Sequence, residues 1–127
     1  MSKHKVVHFE IPASDFNKSK DFYGKVFGWN MQLWGDEYMM ANTTEVDKNQ
    51  RTSELGGSNG GFYKRKDKSQ QPSFVVETDS IEETLSQVEQ AGGKVTKQKS
   101  AIGDMGFMAE FTDPDGNEIS LWQNAKK

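Results

Sequence analysis

The feature that most constrains the fold is a pattern that occurs twice along the 127-residue chain. Each half reads as a strand, a helix and three further strands, and a shift of about 65 residues aligns His8 with Ser73 and Gly28 with Gly93. One such βαβββ unit has one sheet and one helix, so it cannot cover both faces of its sheet. The repeat therefore predicts an α+β fold in which two βαβββ modules form a curved sheet with helices outside and a hollow between.

Hydrophobic alternation and turn residues place the first module at about residues 4–63. Its predicted elements are a helix at 16–27 and strands at 6–11, 29–34, 37–43 and 55–63. Pro12 is expected to end the first strand, and Ser14 or Asp15 to cap the helix. The last strand is rich in glycine, which predicts either a bulge or a close approach of another group to its backbone. The polar segment 45–54 before it is a predicted loop.

The second module is predicted at about residues 72–123, after a linker at 64–71 that contains no apolar residue. Its elements are strands at 73–78, 94–99, 105–112 and 118–123 and a helix that Ser80 caps. The sequence DPDG at 113–116 is typical of a tight turn between the last two strands. We expect both modules to form a single domain over residues 1–127.

Composition excludes several kinds of site and partner. The net charge is −3, and the sixteen basic residues are dispersed among nineteen acids, so no basic stripe is available for nucleic acid. The absence of cysteine excludes disulfides, thiolate metal ligands and a cysteine nucleophile. No apolar run approaches the roughly 18 residues of a membrane span, and no signal-peptide pattern is present. We therefore expect a cytoplasmic protein that binds neither nucleic acid nor membrane.

Three segments carry a family resemblance. They are VVHFEIPASDFNKSKDFYGKVFGW in the first half, and IEETLSQVEQAGGKV followed by MAEFTDPDGNEISLWQ in the second. The chain resembles the vicinal oxygen chelate superfamily, which includes glyoxalase I, bleomycin-resistance proteins, fosfomycin-resistance enzymes and extradiol dioxygenases. The resemblance covers nearly the whole chain and is weakest over residues 43–71. It implies a cup-shaped mixed sheet of eight strands, often completed or enclosed by the partner in a homodimer.

The resemblance also maps four metal-ligand positions onto the chain, because metal-dependent members take one His or Glu ligand from each of four strands. His8 matches the first position, but the second falls within residues 57–63, where no His, Asp or Glu occurs. The third and fourth fall on Ser73 and Ser120, and serine is a poor ligand for such metals. Glu118 shares the strand face of Ser120 but lies about 6–7 Å away along the strand. No cofactor is therefore expected, and a divalent metal held by another ligand set is the alternative.

Nine side chains are candidates for a functional site. His8, Glu10 and Glu118 could form a polar group suited to proton transfer or to a cationic ligand, and His8 and Glu10 share a strand face. A ligand pocket could be lined by Trp34, Tyr38, Ser73, Phe107, Ser120 and Trp122. The alternative interpretation is structural, since most aromatic residues of a small domain pack in its core and strand-edge acids are often solvated.

Two functions stay open at this point. One is a small-molecule-binding protein without a catalytic metal, of the bleomycin-resistance type. The other is a lyase or isomerase related to lactoylglutathione lyase, or a dioxygenase-related enzyme, acting on a small carbonyl or vicinal-oxygen substrate. In the enzyme, His8 would be the base and Glu10 or Glu118 its partner. Ser73 and Ser120 favour the binding protein.

Overall fold

The computed structural model describes residues 3–48 and 56–125. The chain divides into two compact units: the first unit comprises residues 8–72, and the second unit comprises residues 73–125 together with residues 3–7. The elements are β1 (Val6–Ala13), α1 (Phe16–Phe27), β2 (Asn30–Leu33), β3 (Tyr38–Asn42), β4 (Gly60–Lys64), β5 (Ser73–Glu77), α2 (Ile81–Gln90), β6 (Lys94–Ile102), β7 (Gly106–Thr112) and β8 (Glu118–Asn124). This order confirms the predicted α+β fold with two βαβββ modules and eight strands.

The strands of the first unit lie in the order β2-β3-β4-β1. β2, β3 and β4 pair antiparallel, and β4 pairs parallel with β1, with Gly61 opposite Glu10. β1 continues through Pro12 to Ala13, beyond the predicted end at Ile11, because the fixed φ of proline suits an extended strand and the pairing with β4 persists. Residues 49–54 of the predicted loop lie outside the described ranges.

Helix α1 covers one face of this sheet. Asp15 is its N-cap and accepts a hydrogen bond from the backbone N–H of Lys18, while Gly28 ends it in the left-handed conformation. The buried core between helix and sheet comprises Ala13, Phe16, Met31, Met39, Ala41 and Phe62, with Phe9, Ile11, Tyr23 and Trp29 packed against it. Strand alternation therefore turns His8 and Glu10 to the other face, as the sequence predicts.

Two glycines in β4 confirm the predicted close approach to this strand. A Cβ atom on Gly60 would lie 2.5 Å from ring atoms of Phe9, on the face that α1 covers. A Cβ atom on Gly61 would overlap the hydroxyl group of Tyr38 on the opposite face. Both aromatic side chains therefore need a neighbouring strand without side chains at these positions.

The strands of the second unit lie in the order β5-β8-β7-β6, with β5 and β8 parallel and the remaining pairs antiparallel. Ser80 caps α2 as predicted, by accepting a hydrogen bond from the N–H of Glu83. Ile81, Leu85, Ala109 and Leu121 form the core, with Val76, Val95, Phe107 and Phe111 packed against it. The DPDG turn is confirmed: Gly116 has a φ of 86°, and the carboxylate of Asp113 accepts hydrogen bonds from the N–H groups of Asp115 and Asn117.

No helix within the described ranges is long and apolar enough to cross a membrane.

The different surroundings of two glycines in the first unit predict opposite effects of alanine. Gly60→Ala should lower the free energy of unfolding by about 1–3 kcal/mol, because the added methyl group overlaps the Phe9 ring. Gly24→Ala in α1 is the matched control, since its added methyl group meets only the Trp29 carbonyl oxygen, at 3.7 Å. It should raise the free energy of unfolding by about 0.5–1 kcal/mol. Urea denaturation measures both, and equal effects of the two substitutions would contradict this packing.

Candidate functional site

Three polar side chains meet on the face of the first unit that α1 does not cover, which we call the helix-free face. The hydroxyl group of Tyr38 donates a hydrogen bond of 2.7 Å to Oε2 of Glu10. The same hydroxyl oxygen lies 3.0 Å from Nε2 of His8, and the two side chains of β1 approach to 3.8 Å between His8 Nε2 and Glu10 Oε2. We call this group the polar triad.

The strand order explains how Tyr38 enters the triad. Tyr38 belongs to β3 and its two partners belong to β1, with β4 between them. Its side chain must therefore cross β4, and it does so over Gly61, where no side chain stands in the way. The triad thus depends on one glycine as much as on its three polar members.

Burial sets the protonation states of the triad. It lowers the pKa of His8 to about 4, so the imidazole is neutral at pH 7. Burial also raises the pKa of Tyr38 far above its ordinary value, and the negative charge of Glu10 and the hydrogen bond to it act in the same direction. Tyr38 consequently keeps its proton at any physiological pH.

Trp34 extends the triad with an aromatic surface. Its ring lies edge-on to that of Tyr38, with 6.3 Å between the ring centroids, and 52% of the residue is exposed. The structure therefore brings together His8, Glu10, Tyr38 and Trp34, which the sequence singled out for a site. The spacing of His8 and Glu10 predicted their proximity. The contact of both with Tyr38 has one signal in the sequence, which is the glycine at position 61 that leaves room for the Tyr38 side chain.

The second unit contains the remaining candidates, and most of them have structural partners there. The hydroxyl of Ser73 donates to the backbone carbonyl of Glu118 at 2.7 Å. The ring of Trp122 lies against the backbone of Gly106, and its Nε1–H donates to Asn124 at 2.8 Å. These contacts are those expected of residues that stabilise the sheet.

Phe107 corrects one of the sequence predictions. It packs against the core on the side of α2, and the ammonium group of Lys99 lies 4.4 Å from its ring centroid. In β7 it shares a face with the buried Ala109, and alternation turns that face away from Ser120, which lies opposite Glu110. Phe107 is therefore a core residue and does not belong with the proposed pocket residues Ser120 and Trp122.

Sequence reasoning missed Glu110, which lies directly opposite Ser120 in the antiparallel pair of β7 and β8. Burial raises the pKa of the Glu110 carboxyl, the hydrogen bond to Glu118 and the charge of Glu118 raise it further, and Lys97 opposes this. Glu118 thus has an acidic neighbour within its own unit. The DPDG turn could have identified Glu110 as the residue opposite Ser120, because a tight hairpin sets the register of both strands.

The donor groups at the mapped positions do not form the ligand set that a divalent metal needs. His8 is engaged with Tyr38, the residue of β4 opposite Glu10 is Gly61, and the hydroxyl of Ser73 is bonded to a backbone carbonyl. Across residues 3–48 and 56–125, no group of three or more His, Cys, Asp or Glu side chains has an arrangement that could hold a metal ion. The chemistry of these donors is that of a hydrogen-bonding site.

The fold agrees with the comparison against protein families. The model of the Glyoxalase/Bleomycin resistance protein/Dioxygenase superfamily matches residues 5–121. The chain belongs to this superfamily. The match covers both modules, so the superfamily assignment applies to the whole repeat.

The proteins and solved structures that resemble this chain have different names. A protein of Vibrio cholerae serotype O1 named probable lactoylglutathione lyase is 27% identical, over 98% of this chain and 94% of its own length. Among solved structures, methylmalonyl-CoA epimerase of Streptomyces coelicolor has a TM-score of 0.67 at 17% identity, covering 98% of this chain and 100% of the epimerase. A superfamily member from Vibrio splendidus has a TM-score of 0.64 at 16% identity, covering 96% and 100%. These structural matches show the shared fold.

The lowered pKa of His8 predicts a pH-dependent contribution to stability. Between about pH 6.5 and pH 4 the unfolded chain binds a proton at His8 and the folded chain does not, so the free energy of unfolding falls as the pH falls. The loss attributable to His8 should reach up to about 3 kcal/mol. The raised pKa of Glu110 acts in the opposite direction, so wild type must be compared with His8→Gln. Urea denaturation between about pH 7 and pH 4.5 measures the difference. A difference that does not change with pH would contradict the buried neutral imidazole.

The overlap of position 61 with Tyr38 predicts coupling between the two residues. Gly61→Ala should destabilise the wild-type protein by about 1–3 kcal/mol, because its methyl group occupies the place of the Tyr38 hydroxyl. In a Tyr38→Ala background the same substitution should have little effect, since the overlapping group is gone. Urea denaturation of both single variants and the double variant gives the coupling energy. Additive effects would show that Tyr38 does not lie over Gly61.

Proposed function

We propose that the protein binds a small molecule at the polar triad, on the helix-free face of the first unit, without a catalytic metal. The observation that carries this proposal is the hydrogen-bonded chain from His8 through Tyr38 to Glu10. In this chain, the Tyr38 hydroxyl is hydrogen-bonded to His8, which is the one side chain that matches a family metal ligand. The triad then serves as a set of fixed polar groups that orient a ligand.

The protonation states support binding over proton transfer. A general base works best when its pKa lies near the working pH, but burial lowers that of His8 to about 4. The raised pKa of Tyr38 makes it an equally poor acid or base at neutral pH. The exposed ring of Trp34 beside the triad suits a ligand with an aromatic or other planar apolar body.

An enzyme related to lactoylglutathione lyase is the second candidate. The identity of 27% over 98% of the chain to a protein named probable lactoylglutathione lyase favours it. In that case the substrate would be a small carbonyl or vicinal-oxygen compound, with His8 as base and Glu10 or Glu118 as its partner. The serines at positions 73 and 120 weigh against this candidate, because they supply neither a carboxylate nor an imidazole.

The proposal predicts a metal-free protein whose melting temperature rises with planar aromatic compounds. Protein purified without chelator should contain no stoichiometric Ni, Zn, Fe or Mn by elemental analysis. In a thermal-shift screen of aromatic alcohols, amines and acids, at least one compound should raise the melting temperature of wild type. Trp34→Ala should remove most of that shift, because the aromatic surface beside the triad is lost.

Leu33→Ala is the matched control for this screen, since Leu33 is the neighbouring residue and is 62% exposed. It should leave the ligand-induced shift unchanged. A stoichiometric metal that is lost in His8→Gln, together with turnover of the methylglyoxal–glutathione adduct, would refute the binding proposal and support the lyase.

A further inference from the structure

We infer that the ligand presents a hydrogen-bond donor, a hydroxyl or an ammonium group, to Nδ1 of His8, and that carboxylates are rejected there. This inference rests on the proposed function and names the chemical class that the same site selects. It follows from counting the protons of the triad.

The first step concerns the single proton of the Tyr38 hydroxyl. The distance of 2.7 Å to Oε2 of Glu10 is that of a hydroxyl donating to a carboxylate, which is stronger than a bond to a neutral nitrogen. With its proton given to Glu10, the Tyr38 oxygen can only accept from other groups. The proton of Tyr38 is therefore not available to His8.

The second step assigns the tautomer of His8. Its Nε2 lies 3.0 Å from the same hydroxyl oxygen, so Nε2 must carry a hydrogen and donate. A neutral imidazole has one N–H group, and Nδ1 is consequently left with a lone pair and no hydrogen. Nδ1 is therefore a hydrogen-bond acceptor. Glu10 determines this, because it takes the proton of Tyr38 and so requires Nε2 of His8 to be the donor.

The third step concerns access to Nδ1. The side-chain hydrogen bonds of His8 with the described residues comprise only the one from its Nε2, and 27% of the His8 side chain is exposed. A partly buried acceptor gains from a ligand that donates to it. A carboxylate would instead direct its own lone pairs and negative charge at the lone pair of Nδ1.

The triad cannot readily adapt to a carboxylate. Moving the hydrogen of His8 to Nδ1 would make Nε2 an acceptor, so Tyr38 would have to leave Glu10 in order to donate to it. Protonating the imidazole is disfavoured by its burial at neutral pH. The first route breaks the hydrogen bond between Tyr38 and Glu10, and the second places a charge on a buried ring.

A set of three naphthalene compounds with the same ring system tests this inference: 2-naphthylmethanol, 2-naphthylmethylamine and 2-naphthoate. Their aromatic bodies match the surface of Trp34, and they differ in the group offered to Nδ1. Protein labelled with ¹⁵N-histidine is titrated with each compound and followed by NMR. The protein contains two histidines, so His4→Gln identifies the signals of His8.

In the free protein the hydrogen of His8 should be found on Nε2. The alcohol and the amine should shift the Nδ1 signal and bind at least about tenfold more tightly than the carboxylate. His8→Phe, which keeps a planar ring without the acceptor, should bind the alcohol at least about tenfold more weakly than wild type does, while the charge of Glu10 continues to favour the amine over the carboxylate. Near-ultraviolet circular dichroism checks that this variant is folded.

A hydrogen found on Nδ1 of the free protein would overturn the inference without any ligand or variant. Equally tight binding of 2-naphthoate to wild type would also overturn it, while small-molecule binding at the triad would stand. If none of the three compounds binds, the donor inference fails, and the proposed function fails with it when the thermal-shift screen also finds no ligand.

Discussion

The first unit depends on the close approach of the Tyr38 side chain to the backbone of Gly61. Without it, a side chain from β3 could not reach over β4 to the polar groups of β1. The same strand accommodates the ring of Phe9 at Gly60 on its opposite face. Two adjacent glycines therefore serve both faces of one strand: one allows an aromatic contact under the helix, and the other allows the polar triad to form.

The triad shows how the protein holds His8, the one side chain that matches a family metal-ligand position. An imidazole coordinates a metal through a lone pair, and here Nε2 donates its hydrogen to a tyrosine hydroxyl that is itself bound to a carboxylate, so that only Nδ1 keeps a lone pair. The departures at Ser73 and Ser120 are visible in the sequence. The hydrogen-bonded chain that joins His8 to Tyr38 and Glu10 is visible only in the structure.

Much of the fold follows from local sequence signals, because the helix caps and the DPDG turn each act within a few residues, and the repeat shows that the same element order occurs in both halves. The site is less predictable, since it depends on pairing between strands that are distant in sequence. His8 and Glu10 could be grouped because they are two residues apart on one strand. Phe107 was grouped with the pocket residues because its strand face must be counted from Ala109, whose burial the sequence alone does not show. Glu110 was missed because its place beside Ser120 depends on the pairing of β7 with β8 across the hairpin.

The Gly61 contact also limits how this chain could exchange one chemistry for another through successive substitutions. A glutamate or histidine introduced at position 61, the β4 position opposite Glu10, would meet the Tyr38 ring before it could reach a metal. Shortening Tyr38 first would leave His8 and Glu10 without the group that joins them. Either single step therefore passes through a disrupted site. A change from a hydrogen-bonded site to a metal-binding site on this strand would therefore require paired substitutions at positions 38 and 61.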